Sequence, residues 1–69
     1  MSLDLKDLPA VIDVGLRVGL AYVVTIVDER FTDDHVVRVT GCANVDDAVD
    51  AVVPYVNSNY LQSVKVRPA

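Results

Sequence analysis

Residues 12–26 alternate between large apolar side chains and smaller or polar ones, and this pattern constrains the fold more than any other feature of the chain. A period of two is typical of an extended strand that buries one face. The run is longer than the roughly five or six residues of a common strand. We therefore predict one strand over about residues 11–27, with its even-numbered face in the core. That face consists of Ile12, Val14, Leu16, Val18, Leu20, Tyr22, Val24 and Ile26.

The odd-numbered face of this strand is partly apolar as well. Glycine inside a strand often marks a bend or a close approach by another backbone, so the strand is either one bent ribbon or two segments that meet near Gly19. One helix cannot cover both faces of a small sheet, so we expect a second copy of the chain to cover the odd face. The predicted self-association interface of a homodimer or higher homo-oligomer consists of Gly15, Arg17, Gly19, Ala21, Val23 and Val27.

A second apolar segment at residues 36–42 follows a polar connection, and the pair predicts a hairpin. Placing Val27 opposite Val36 sets Val24 against Val39, so that the apolar faces agree on both strands. This register leaves the first half of the long strand without a partner on that side. We expect its edge to pair with the C-terminal strand, the N-terminal segment or another copy, since an unpaired apolar edge invites association.

A helix and a final strand complete the predicted elements. Asn44 is a suitable N-cap, and apolar residues at helical spacing follow it. We predict a helix at about 45–57 that is kinked or broken at Pro54, because proline lacks the N–H that continues a helix. The last strand is predicted at 61–67, and a right-handed crossover makes it parallel to the second strand.

The predicted fold class is therefore α+β. It is a small ββαβ domain with a three-stranded, mainly antiparallel sheet of order 2-1-3 and one helix on one face. Residues 1–69 form a single domain, in which residues 1–10 are a weakly structured lead-in.

The composition favours oligomerisation. A chain of 69 residues buries only about 60% of its unfolded surface. Its single cysteine excludes an internal disulfide, and no Cys/His cluster suggests structural zinc. Self-association remains as a means of covering apolar surface. The net charge of −4 argues against nucleic acid as a partner.

Neither a signal peptide nor a membrane span is expected. Acidic residues stand near the start, where a signal peptide has basic ones. No apolar run approaches the roughly 18–20 residues of a span. We predict no membrane partner and a cytoplasmic location, with Cys42 reduced.

The polar connection at residues 28–35, here called the acidic loop, is the main candidate for a binding site. Its carboxylates suggest a divalent cation, but it lacks the ligand spacing and the glycine of a calcium loop. We interpret it as a solvated hairpin loop and predict no metal or cofactor. Phe31 is either an exposed anchor for a partner or folded back over the core. The predicted partner-binding residues are Phe31, Asp33, Asp34 and His35.

Two side chains suggest catalysis. His35 has carboxylates beside it, as a general base does, and Cys42 precedes the start of a helix, where thiolates are stabilised. No nucleophile motif accompanies His35, and a lone cysteine that ends an apolar strand is usually a small buried residue. We therefore predict that the protein is not an enzyme.

These observations predict a small, non-enzymatic, self-associating interaction protein with an unidentified protein partner. Accessory proteins of phages and mobile elements share its size and its lack of catalytic motifs. The alternative is a small-ligand or divalent-metal-binding module, with its site at the acidic loop or at a subunit interface.

Overall fold

The computed structural model describes residues 3–17 and 19–69, which form four strands, one α-helix and two 3₁₀ turns. The helix α1 spans Val45–Val52, and the 3₁₀ turns span Leu5–Asp7 and Val53–Tyr55. The predicted α+β class is confirmed. The strands are β1 (Val11–Asp13), β2 (Leu20–Asp28), β3 (His35–Cys42) and β4 (Leu61–Pro68).

The four strands form one mixed sheet in the order β1-β3-β2-β4. β2 runs antiparallel to both of its neighbours, whereas β1 runs parallel to β3. The predicted three-stranded sheet of order 2-1-3 is therefore wrong. Its three strands correspond to β3, β2 and β4, which do lie side by side in that order. The fourth strand, β1, adds to the other edge of β3.

The predicted single strand over residues 11–27 is also wrong, because β1 and β2 lie on opposite sides of β3. Residues 14–19 connect them past the C-terminal end of β3, and we call this segment the crossing loop. Val18 lies outside the described residues. The sequence left open either one bent strand or two segments that meet near Gly19. The second alternative is closer to the structure, since β2 begins at Leu20.

The hairpin register differs from the predicted one by two residues. Val24 pairs with Val37 instead of Val39. A shift of two keeps every side chain on its predicted face, so the valines still meet in the core. The shift arises because the chain turns directly after β2: the Asp28 carbonyl accepts the Phe31 N–H at 3.1 Å. The connection is then two residues shorter than predicted.

The core lies between α1 and the even-numbered face of β2. Asn44 starts the helix, since its side-chain oxygen accepts the Asp47 N–H at 3.1 Å. The α-helix ends at Val52, and a 3₁₀ turn over Val53–Tyr55 follows it. The predicted helix over 45–57 is therefore broken near Pro54, which is one of its two predicted forms. The buried apolar residues are Leu5, Tyr22, Val24, Ile26, Val37, Val39, Cys42, Ala48 and Val52.

The predicted lead-in at residues 1–10 contains a core residue. Leu5 is only 1% exposed, and the turn that holds it has a capping box. The Leu5 N–H donates to the Asp4 carboxylate at 2.8 Å, and the Asp4 N–H donates to the Asp7 carboxylate at 3.0 Å. Residues 5–7 are therefore ordered by local hydrogen bonds as well as by burial. Met1 and Ser2 lie outside the described residues.

Candidate interaction surfaces

The crossing loop is fixed to the end of β3 by backbone hydrogen bonds. The Val14 N–H donates to the Thr40 carbonyl at 2.9 Å, and the Leu16 N–H donates to the Gly41 carbonyl at 3.3 Å. These bonds continue the β1–β3 ladder beyond the last paired residue of β1. The loop is therefore held against the sheet as an extension of its framework.

The three glycines of the chain meet at this crossing. Gly15 and Gly41 have φ angles of +100° and +72°, which residues with a Cβ rarely adopt. Gly19 lies so close to β3 that a Cβ on it would stand 2.4 Å from the Cα and carbonyl carbon of Gly41. The sequence-based interpretation of Gly15 and Gly19 as marks of a bend or close approach is confirmed.

The crossing loop and the first residue of β2 expose large apolar side chains that the alternation assigned to the core. Val14, Leu16 and Leu20 are 41%, 48% and 54% exposed, so the predicted core position of these three residues is wrong. The period of two relates a residue to a sheet face only where the backbone is a strand of the sheet, and Val14 and Leu16 lie in the loop between β1 and β2, while Leu20 is the first residue of β2. We call Val14, Leu16 and Leu20 the apolar loop patch.

The structure divides the predicted self-association interface between two places. Gly15, Arg17 and Gly19 lie in the crossing loop and are exposed. Ala21, Val23 and Val27 lie on the odd-numbered face of β2 and are half-buried. The six residues are therefore not one continuous strand face. Whether they contact a second copy stays a prediction.

The odd-numbered face of β2 belongs to a larger surface that we call the open face. It comprises the odd-numbered residues of β1 and β2, those of β4 from Ser63 to Arg67, and the even-numbered residues of β3 from Val36 to Thr40. The core and α1 lie on the opposite side of the sheet. Val11 and Val36 on this face are 55% and 56% exposed.

Basic side chains frame the open face. The two registers place Val23 between Arg38 of β3 and Arg67 of β4. Lys65 lies opposite Thr25, two residues from Arg67 along the same strand. All three cations are exposed. Within the described part of the chain, no carboxylate lies in ion-pairing distance of any of them.

The first carboxylate of the acidic loop is part of the folded framework. Asp28 is 2% exposed, and Arg30 binds both of its oxygens, through Nε at 3.1 Å and Nη2 at 2.9 Å. Arg30 Nη2 also reaches Asp4 Oδ1 at 2.8 Å. The guanidinium lowers the pKa of Asp28 and of Asp4, and the two carboxylates raise the pKa of Arg30. This network ties the first turn of the chain to the end of β2.

Sequence reasoning missed this network. The Asp-x-x-Asp spacing that begins at Asp4 indicates a capping box, but it does not indicate an ion pair with a distant arginine. Nothing in the sequence relates Asp4 to Arg30, since that contact depends on how the chain folds. A buried carboxylate needs such a partner, because an unpaired charge is costly to desolvate.

Phe31 is folded back towards the core, as one of the two alternatives left open by the sequence has it, while its contact with a partner stays a prediction. Its ring is half-buried and packs against the core cluster. It meets the His35 ring edge-on with centroids 4.6 Å apart. The Arg30 guanidinium lies 5.3 Å from the Phe31 centroid and 4.6 Å from that of Tyr60. The predicted partner-binding residues Phe31 and His35 are thus brought together at the hairpin end.

The other two predicted partner-binding residues, Asp33 and Asp34, are exposed. Among residues 3–17 and 19–69, no group of three or more His, Cys, Asp and Glu side chains is arranged to hold a metal ion. His35 Nδ1 is buried without a hydrogen-bond partner in the same described ranges. The acidic loop therefore presents three exposed carboxylates, Glu29, Asp33 and Asp34, together with the Phe31–His35 ring pair.

Cys42 is buried at the end of β3, and its environment disfavours the thiolate. Burial raises the pKa of the thiol, and the negative charges of Asp47 and Asp13 raise it further. The pKa of the thiol is therefore raised, mainly by burial, although Cys42 lies near the start of α1. The thiol is a small core group, as the sequence predicts.

The described residues enclose no pocket. No helix that they form is long and apolar enough to cross a lipid bilayer. Comparison with models of protein families, with curated proteins and with solved structures gave no match.

Proposed function

We propose that this protein is a small, non-enzymatic interaction protein that self-associates through its apolar loop patch. The observation that carries the proposal is the exposure of Val14, Leu16 and Leu20 around the end of β3. Single exposed apolar residues are common, whereas several that lie together mark interaction sites. The proposed occupant of this patch is a second copy of the chain.

The shape of the molecule supports self-association. Its dimensions of 36 × 26 × 17 Å describe a flat slab. Its accessible surface is 4650 Å², about a tenth more than the ~4,250 Å² that size scaling gives for a compact protein of this mass. A flat sheet with a helix on one side leaves more apolar surface in water than a rounder fold, and association removes part of it.

The patch is also preorganised. Its backbone is bonded to Thr40 and Gly41, so that little conformational entropy is lost when a partner binds. Each of the three half-exposed side chains contributes about 1 kcal/mol when covered, roughly half of the value for complete burial. A symmetric dimer doubles the set to a total of about 6 kcal/mol. This gain is comparable with the ~4–15 kcal/mol cost of association, so we expect a weak, concentration-dependent dimer.

Sedimentation equilibrium tests the proposal directly. The mass of the wild-type protein should rise from 7.5 kDa towards twice that value as its concentration approaches millimolar. The double variant Leu16→Ser/Leu20→Ser should remain a monomer. Val53→Ser is the matched control, because Val53 is 56% exposed in a 3₁₀ turn that is remote in sequence from the loop. A wild-type monomer at every concentration would refute self-association, and equal loss in both variants would refute the patch.

A cytoplasmic location belongs to the same proposal. It rests on the single cysteine, which is free and buried in the core and which we expect to be reduced.

A further inference from the structure

We propose that the open face is a second binding surface, which takes an acidic segment of another protein in extended conformation. The inference rests on the proposed function, because both describe a protein that acts through contacts. It uses a different surface from the apolar loop patch, so the two can fail independently. The observations that carry it are the positions of Arg38, Lys65 and Arg67 around Val23.

The sheet spacing fixes the distances between these cations. Arg38 and Arg67 flank the same residue of β2, so their Cα atoms are about 10 Å apart, or two strand spacings. Lys65 and Arg67 are two residues apart on one strand, which is about 6.8 Å. Acidic residues at positions i and i+2 of an extended peptide have the same spacing. The face thus matches the repeat of a strand-like partner.

The charge distribution favours an anionic partner. The open face carries Arg38, Lys65, Arg67 and the carboxylate of Asp13, a net charge of +2. Since the whole chain has a net charge of −4, the rest of the molecule carries −6. Asp13 lies on β1 and, among the described residues, forms no ion pair with these cations. Two open faces packed together would oppose like charges, so a second copy does not fit this surface face to face.

The same distribution distinguishes an acidic protein segment from a nucleic acid. The residues between the cations are valine and threonine, and no aromatic residue shares the face on which bases could stack. The −6 on the remaining surface repels a long polyanion. Exposed Val36 and half-buried Val23 instead present apolar surface against which the methylene groups of acidic side chains can pack.

The free edge of β4 places this surface within reach of an extended chain. The Ala69 N–H donates to the Ala21 carbonyl at 3.0 Å, so in this ladder the residues of β4 that bond to β2 are the odd-numbered ones. The backbone nitrogen of the even-numbered Pro68 therefore faces the free edge of β4. Because proline has no N–H, it interrupts the row of hydrogen-bond donors along that edge. A partner that lies across the face, rather than along this edge, contacts Arg38 as well as the two cations of β4.

The test is an NMR titration of the ¹⁵N-labelled full chain with a synthetic peptide of alternating Asp and Val residues. A peptide with Asn in place of Asp is the neutral control. We expect saturable shifts at Val23, Thr25 and Arg38, and affinity that falls as salt is added. Lys65→Glu and Arg38→Glu should each weaken binding about three- to tenfold. Lys6→Glu, which makes the same charge change at an exposed residue in the first 3₁₀ turn, should not.

Each alternative has its own result. Equal weakening by Lys6→Glu would overturn the assignment to this face, and loss with Lys65→Glu but not Arg38→Glu would move the partner to the edge of β4. Binding of an oligouridylate or of phosphatidylserine vesicles in place of the peptide would also overturn it, as would no binding at all. The same titration on Leu16→Ser/Leu20→Ser separates the two proposals. Retained peptide binding in that variant supports the open face whether or not the wild type self-associates.

Discussion

Alanine substitution at Gly15 and at Gly19 tests whether this segment is a loop that crosses the end of β3 or part of one continuous strand. The two structures predict changes of opposite sign in the free energy of unfolding. In one long strand, glycine is less favourable than alanine by about 0.5–1 kcal/mol, so both substitutions would stabilise the fold. In the observed structure both should destabilise it. Gly15 needs φ of +100°, and Gly19 has no room for a Cβ.

The two costs have different origins and different sizes. A Cβ on Gly15 meets nothing within 4 Å, so only the backbone angle opposes it, at about 1–2 kcal/mol. A Cβ on Gly19 would lie 2.4 Å from two backbone atoms of Gly41, more than 1 Å inside the usual ~3.5–4.0 Å contact of carbon atoms. Since backbone cannot swing aside, we expect a cost of about 3 kcal/mol or more. A chain of this length has roughly 3.5–10 kcal/mol of stability.

Urea unfolding followed by circular dichroism measures both effects. With a slope of about 1 kcal/mol per molar, Gly15→Ala should lower the midpoint by about 1–2 M, whereas Gly19→Ala should lower it further or unfold the protein. D-alanine at position 15 is the matched control, because a D-residue favours positive φ. The Gly41–Cys42 junction allows it to be introduced by chemical ligation at the cysteine. We expect D-alanine to raise the midpoint slightly. A rise with L-alanine at both positions would refute the crossing.

The remaining predictions concern the core and the ion network. The buried Cys42 thiol should react with a disulfide reagent far more slowly in the folded protein than in urea, and equal rates would restore the reactive-thiol hypothesis. Asn44→Ala should cost about 1 kcal/mol of stability in urea titration, since it removes the cap of α1. Arg30 lowers the pKa of Asp4 and Asp28 below 3.8, so their folded forms bind protons less tightly than the unfolded chain. The resulting stabilisation is complete above the unfolded pKa and is lost as pH falls below about 4. Arg30→Gln should flatten this part of the pH profile, and an unchanged slope would contradict the role of the network.

The alternation of apolar residues predicted burial correctly only where the chain forms a strand inside the sheet. Between Tyr22 and Ile26, β2 is paired on both sides, and every even residue is buried. The same alternation includes Val14, Leu16 and Leu20, yet these three side chains are exposed. Periodicity is a property of the local sequence. Burial of these side chains depends instead on the tertiary fold, in which β3 ends at Cys42 and the crossing loop passes its end.

The interaction surfaces also depend on tertiary contacts that the local sequence pattern does not reveal. The sequence predicted that the helix would leave the odd face of β2 to a second copy of the chain. The helix does lie on the other side, and contact with a second copy stays a prediction. The sequence did not predict the basic frame, because Arg38 and Arg67 become neighbours of Val23 only through two separate strand pairings. The predicted register would have placed Arg38 opposite Thr25.

A dilution series of ¹⁵N NMR spectra tests the proposed self-association most directly, because it reports both whether copies meet and where. We predict that amide signals of residues 14–20 and of their β3 neighbours Gly41 and Cys42 shift progressively as concentration rises to millimolar, while those of α1 stay fixed. Spectra that do not change with concentration, or shifts confined to α1 or the acidic loop, would contradict the account.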